Sequence, residues 1–257
     1  MKDNSNLYIE SVPKSNTLSQ LGALIKWSLL RHKTLLPVFT VMQAVLSFAI
    51  VYGLALLIPD IDHVTSIYLS SGAATLGIIA VGCVLAAQII NTAKQDGVVQ
   101  YQKTLPVSRV NILLADFFIW GAASLPGVLM SFLASYIRFG IAVRVSLSGV
   151  ILLILTQTAM ISIGFAIAYW LSPNAVGLVT QVIMIGGLLF SPITYPAERL
   201  PEWMQYIYNF LPFIPTSNLI RGSFFQMEEI LYRDIFVVFS WTVMMCLLSL
   251  WALSRRD

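Results

Sequence analysis

Five runs of this chain are long and apolar enough to cross a lipid bilayer: Leu35 to Ile58, Ser66 to Ile90, Val110 to Tyr136, Val145 to Leu171 and Ile235 to Leu253. A helix rising about 1.5 Å per residue needs about 20 mostly apolar residues to span a core about 30 Å thick. Backbone groups left unpaired there cost several kcal/mol each, so the runs have to pair their own backbone as helices. Only 11% of the residues are charged and 58% are hydrophobic, against roughly 25% charged in soluble domains. No polar stretch is long enough to be a soluble domain. The expected fold class is an all-α membrane protein, with residues 1–34 a cytoplasmic tail and interface helix and residues 35–257 the transmembrane domain.

A sixth apolar run begins near Ala175 and continues into "FSPITYPAERLPEWMQYIYNFLPFIP", residues 190–215. A proline inside a helix removes a hydrogen bond and costs about 3 kcal/mol, so this stretch is not read as a simple crossing. Charge placement agrees. With the N-terminus inside, the inner segments hold Lys2, Lys14, Lys26, Arg31, Lys33, Lys94, Lys103, Arg109, Arg255 and Arg256, and the outer ones Arg138, Arg144, Arg199, Arg221 and Arg233. Cytoplasmic loops retain positive charge, which puts both termini in the cytoplasm. A seventh crossing by "WMQYIYNFLPFIPTSNLI" would place the terminal "SRRD" outside. Residues 191–234 are therefore expected to enter the outer leaflet and return between spans five and six. Pro192 and Pro196 would end span five, Leu200-Pro201 would turn the chain, and Pro212 and Pro215 would break the aromatic segment.

Ahead of the first span, "SNTLSQLGALIKWSLLRHK" sets Leu18, Leu21, Leu24, Ile25, Trp27, Leu29 and Leu30 largely on one arc, with Lys26, Arg31 and Lys33 toward water or phosphate. That pattern is an amphipathic helix lying in the membrane plane. The first apolar run starts too late for a usual secretory signal and lacks a small-residue exit, so it reads as an uncleaved helix. The net charge of +3 is spread over short flanks without interleaved aromatics, which argues against a nucleic-acid partner. Cys83 and Cys246 lack metal-ligand or redox spacing and read as packing residues.

The motifs that carry chemistry are few. "GAATLGII" has phosphate-loop glycine spacing at Gly72 and Gly77, but Ile78 stands where the lysine must be, so this chain does not hydrolyse ATP by that route. Gly72, Gly77, Gly82 and Ala86 read instead as a small-residue surface for close helix approach. Glu228, Glu229 and Arg233 in "EEILYRD" resemble the E-E-x-x-x-R signature of membrane-embedded prenyl-protease-like enzymes. That chemistry also needs histidines downstream, and His32 and His63 both lie upstream. No catalytic residue and no metal site is assigned. Asp116 falls about 9 Å into the third span, where an acid is costly. It is an interfacial salt-bridge partner, with Arg109 two turns earlier on the same face, a snorkelling acid, or a group that handles substrate or protons. Gln43, Gln88, Asn91, Gln157 and Gln181 either line a cavity or bond helix to helix. Asp116, Gln88, Gln157 and Gln181 are the pathway candidates.

Two segments carry a resemblance. The inner loop "KQDGVVQYQKTLPVSRVNILLADF" reads alone as a short helix, a break at Leu105-Pro106 and a new helix with Ser108 as N-cap. Its Asp96-Gly97 pair and Leu105-Pro106-x-Ser108-Arg109 element, together with "SPITYPAERLPEWMQYIYNFLPFIPTSNLIRG", resemble the type-2 ATP-binding-cassette (ABC) permease family. The resemblance implies six spans, an N-terminal interface helix and a re-entrant helical hairpin. It implies a coupling loop for the ATPase over about residues 92–109, with Asp96, Gly97, Lys103, Leu105, Pro106 and Arg109 as its residues. It further implies an outer gate, for which Phe190, Pro192, Tyr195, Pro201, Phe210 and Phe213 are the candidates. ATP and Mg would be bound by two copies of a partner ATPase subunit, not by this chain, which would pair with a second or paralogous permease among lipids of a bacterial inner or plasma membrane. Asp96 stands where the family more often has Glu, and the "RYRxSxLG" element of polysaccharide exporters is missing. The expected cargo is accordingly an amphipathic small molecule, peptide or lipid. A stand-alone secondary transporter or channel would be expected to show an internal repeat and several mid-membrane charges; the chain shows no repeat and offers Asp116.

Overall fold

The computed structural model describes residues 17–58, 61–189, 191–196, 200–227 and 229–255. Phe190 of the expected gate and Glu228 of the glutamate pair lie outside the described residues. Among the described residues all regular structure is helical. α1 (Thr17–Arg31) and α2 (Leu35–Leu57) are joined by a tight turn. α3 (His63–Ile79), a π-helical segment (Ala80–Leu85) and α4 (Ala86–Gln95) run on as one rod of 33 residues. A short α5 (Val98–Thr104) precedes α6 (Arg109–Phe139) and α7 (Leu147–Trp170). Then come α8 (Pro173–Leu189), α9 (Glu202–Phe210), α10 (Phe213–Ile220) with a π-helical turn (Arg221–Phe225), and α11 (Tyr232–Ser254).

Among the described residues α2, the α3–α4 rod, α6, α7 and α11 are long and apolar enough to cross a membrane. α8 is apolar but has 17 residues, at the short end of what a crossing requires. Local chemistry explains several helix starts. The Asp62 carboxylate accepts from the Thr65 amide at 2.9 Å, and the Ser146 hydroxyl from the Gly149 amide at 3.0 Å, each satisfying an orphan donor of a first turn. Pro173 occupies the first position of α8, where its missing N–H costs nothing.

α6 packs along α1, α2 and α3, while α7 packs against α4 and α11. The rod is the enclosed element: every residue from Ser66 to Ile79 is buried. α2 and α11 present Val38, Val41, Met42, Phe236, Phe239 and Leu247 outward, as lipid-facing helices do. The small residues of the rod do not form one surface. Gly82 meets α7, where a Cβ would lie 2.6 Å from Met160 Cβ, and a Cβ on Gly164 would overlap the Gly82 carbonyl oxygen. Gly77 faces Ser47 and Gln43 of α2, and Gly72 receives Ile193 and Thr194, which belong to no helix. Cys83 is buried, in no disulfide and packed with its sulfur 3.7 Å from Met160 Sδ.

Candidate functional site

The loop between α4 and α6 is built by one left-handed glycine and one arginine. Gly97 has φ of 75°, a conformation open to glycine without steric cost, and it lets α5 start immediately after α4 ends. Leu105 is extended, as a residue before proline must be. Arg109 then folds back: Nη1 donates to the Gln102 carbonyl at 3.0 Å and Nη2 to the Lys103 carbonyl. The Gln102 carbonyl also accepts from the Leu105 amide at 3.3 Å, so Arg109 adds a second donor there at the C-terminus of α5. Lys103 Nζ donates to the Arg255 carbonyl at 3.1 Å, tying α5 to the end of α11. Val99 and Gln102 are buried, whereas Asp96, Tyr101 and Pro106 are exposed. Asp96, Gly97, Lys103, Leu105, Pro106 and Arg109 thus belong to one turn–helix–turn unit. Ser108 stands at the N-cap of α6 with extended backbone, but its hydroxyl makes no capping bond.

The Arg109–Asp116 pair that the seven-residue spacing would allow does not form. Seven residues share a face but differ by about 10 Å along the axis, and the α5 carbonyls lie closer to the guanidinium. Asp116 is buried and accepts from Ser28 Oγ of α1 at 3.4 Å, with the Arg31 charge nearby. Arg31 therefore turns inward rather than to water; its Nη1 is buried without a hydrogen bond. Its Nη2 lies 3.3 Å from His32 Nε2, and His32 Nδ1 lies 2.9 Å from the Ser28 carbonyl. A neutral imidazole fits both contacts, donating from Nδ1 and accepting at Nε2. Burial, and then the Arg31 charge, push the His32 pKa below its ordinary value against the opposing pull of the Ser28 carbonyl. The ring also packs edge-on against Trp120, 5.4 Å between centroids. α1 is anchored at its other end by Asn111 Nδ2 donating to Gln20 Oε1 at 3.4 Å. Between α1 and the α5–α6 turn runs a groove of about 390 Å³ lined by Gln20, Leu24, Trp27, Tyr101, Leu105 and Val107.

At the opposite end of the rod, the segment between α8 and α11 is held by Arg221, which the sequence offered as an outer-loop charge and as the last part of the stretch carrying the family resemblance, with no partner assigned. Arg221 is 1% exposed. Nε donates to Ser71 Oγ of α3 at 3.2 Å, Nη1 to Asn218 Oδ1 at 3.1 Å, and Nη2 to the Ile193 carbonyl at 3.1 Å and Ser217 Oγ at 3.0 Å. Asn218 donates in turn to Asp234 of α11 at 2.9 Å. The available signal was a lone charge between Leu219-Ile220 and Phe224-Phe225, with Ser217 and Asn218 one turn earlier.

The expected gate residues do not form one cluster. Pro192 is buried, Phe213 packs on the core and Tyr195 is half-buried. Phe210 is exposed on α9 beside Trp241, and Pro201 stands exposed at the N-cap of α9. Leu211 is extended before Pro212, which ends α9 and lets α10 begin, whereas Pro215 sits inside the first turn of α10 without breaking it. The pathway candidates also separate. Gln157 is buried and donates to Ser124 Oγ at 2.8 Å, bonding α7 to α6. Gln88 is exposed and within 3.4 Å of Thr180 Oγ1, with Gln181 exposed on the adjoining α8.

A family model described as ABC-2 type transporter matches residues 19–225, from within α1 to the end of the π-helical turn after α10. A comparison with curated proteins gives no match. The match takes in both the α4–α6 loop and the Arg221-held segment, and with several membrane-length helices it makes this a multi-pass membrane protein and a transporter's membrane component rather than a catalytic one. The chain belongs to the ABC-2 type transporter family.

Proposed function

We propose that the chain is the permease subunit of an ATP-driven exporter, with α2, the α3–α4 rod, α6, α7, α8 and α11 as six crossings and both termini in the cytoplasm. α5 is the coupling helix. The observation that carries this reading is the way α5 is mounted: a separate seven-residue helix, pinned at its C-terminus by Arg109, tied by Lys103 to α11 and facing α1 across an apolar groove. A push on Leu105 or Pro106 would reach α6 and α11 together. Two ATPase subunits carrying ATP and Mg would supply it, acting on this chain paired with a second copy or a paralogue.

The segment from Ser191 to α10 is the re-entrant hairpin. In support, Ser71, eight residues inside α3 from His63, meets the Arg221 guanidinium just after α10, about 12 Å in from the start of α3. Irregular backbone at such depth is tolerated when protein covers it, and Ile193 is fully buried. Gln88 and Gln181, on the exposed α4–α8 face, are the better candidates to meet an amphipathic cargo. Tyr195, Phe210 and Phe213 remain the proposed gate, with Phe210 the exposed side chain, edge-on to Trp241.

Affinity purification of the tagged full chain from its host membrane in mild detergent tests this. A co-purifying subunit with a GxxxxGK[ST] loop and ATPase activity is expected. Purification of an active transporter that holds no nucleotide-binding subunit would sink the reading.

A further inference from the structure

We propose that the cleft between the α4–α5 unit and the ends of α7 and α11 binds the anionic headgroup of a phospholipid. Three cations from three segments converge there: Lys94, Lys103 and Arg255 line a cavity of about 180 Å³, and no carboxylate lines it among the described residues. Lys94 Nζ donates to the Tyr169 carbonyl at 3.2 Å and the Leu171 carbonyl at 3.4 Å. An ammonium has three donors, so one remains for a ligand. The Arg255 guanidinium lies 5.9 Å from the Trp170 ring and 5.6 Å from that of Trp251, and the two indoles are 4.9 Å apart.

The indoles decide between a soluble anion and a lipid. Trp170 and Trp251 are 39% and 56% exposed at the ends of helices long enough to cross a membrane, and tryptophan at that position marks the headgroup level. A basic pocket opening beside such a pair suits a headgroup phosphate whose acyl chains continue along the exposed apolar face of α11. Such pockets between helices bind anionic headgroups on general electrostatic grounds. The bound phosphate would bridge α5 to the ends of α7 and α11, so its occupancy would stiffen the mounting of α5. That the leaflet concerned is the inner one rests on the proposed orientation; the binding itself does not.

The test uses the full chain alone, purified in neutral detergent and titrated with phosphatidylglycerol, phosphatidylcholine or soluble glycerophosphate, with bound adducts counted by native mass spectrometry. Phosphatidylglycerol is expected to be retained over phosphatidylcholine, with no glycerophosphate adduct. Lys94→Gln, Lys103→Gln and Arg255→Gln should each weaken retention roughly fivefold, the effect of about one surface cation. Arg138→Gln, at the far end of α6, should not. Equal retention of the two lipids overturns the proposal, as does an unchanged preference in the triple variant with wild-type melting in phosphatidylcholine. Glycerophosphate binding as well as the lipid would make this a soluble-phosphate site and overturn the lipid assignment. Should Lys94→Gln fail to fold, Arg255→Gln, on an exposed residue beyond α11, carries the test. Because no ATPase subunit is present, the result is independent of whether one co-purifies from the host.

Discussion

The guanidinium of Arg221 lies 3.7 Å from the centroid of the Tyr68 ring, stacked on an aromatic face inside the bundle while its nitrogens bond α3, Ile193 and α10. Removing a buried, hydrogen-bonded charge typically costs about 3 kcal/mol or more. Arg221→Ala should lower the melting temperature of the detergent-purified chain clearly, and Arg221→Lys, which keeps the charge but not the planar fork, should fall between. An Arg221→Lys variant that melts with wild type would show that the fork geometry is unimportant.

Arg109→Gln removes the guanidinium bonds to the Gln102 and Lys103 carbonyls, leaving the Gln102 carbonyl with the Leu105 amide alone. Amide exchange over Val98–Thr104 should then speed up while that of α7 stays unchanged, with about 1–2 kcal/mol lost locally. In the exporter reading, ATP hydrolysis persists and transport is lost. Unaltered protection of α5 would contradict the pinning role.

Ser28 and Asp116 should be energetically coupled. Ser28→Ala is expected to cost about 1 kcal/mol and Asp116→Asn about 3 kcal/mol, because the inward-turned Arg31 loses its counter-charge. A double-mutant cycle should return a coupling of about 0.5 kcal/mol or more. Additive losses would contradict the coupling, and an Asp116→Asn variant with native stability and no transport would instead make Asp116 a pathway residue.

His32 makes the docking of α1 pH-dependent. Its folded pKa lies below the ordinary value of 6.5, so the unfolded state binds more protons between the two values and stability rises with pH there. The contribution is complete above about pH 6.5 and declines as the pH falls toward the lowered value, because a protonated ring would face Arg31. Asp96 lines the same small cavity as Arg31 and His32, and Asp116 lies on the other side of Ser28. His32→Gln should flatten the melting profile between pH 7 and pH 5 that wild type shows, and an identical slope in both would dismiss the histidine.

Gly164→Ala should destabilise by about 1–3 kcal/mol through the overlap with the Gly82 carbonyl oxygen. Gly22→Ala on α1, where a Cβ meets nothing within 4 Å, should be neutral or stabilising by up to about 1 kcal/mol. Thermal melts of the two variants side by side decide it.

The spanning elements were legible because hydropathy and helix length report the same thing. Val110 to Tyr136 became Arg109–Phe139 and Val145 to Leu171 became Leu147–Trp170. The second run extended to His63–Gln95, because polar residues such as Asn91 and Thr92 end an apolar run without ending a hydrogen-bond ladder. The inner loop was legible through Gly97 and Pro106, whose backbone preferences are local. Partners were not. Arg221 meets Ser71 across 150 residues and Ser28 meets Asp116 across 88, and nothing local distinguishes a cation that will be buried from one that faces water. The error over Arg31 and Arg109 has that origin.

The π-helical segment in the rod also left no mark in the sequence, and it alters how the rod must be counted. The Ala86 amide reaches back five residues to the Val81 carbonyl, so one residue is wound in beyond the α-helical ladder and everything after it is turned by about 100°. Heptad-style arithmetic carried from Ser71 to Gln88 therefore lands on the wrong face. α3 and α4 are two phases of one shaft, and a one-residue deletion between Ala80 and Leu85 would turn the π segment into plain α-helix and leave both Gln88, beside Thr180 of α8, and the Arg221 clamp on the faces they now occupy.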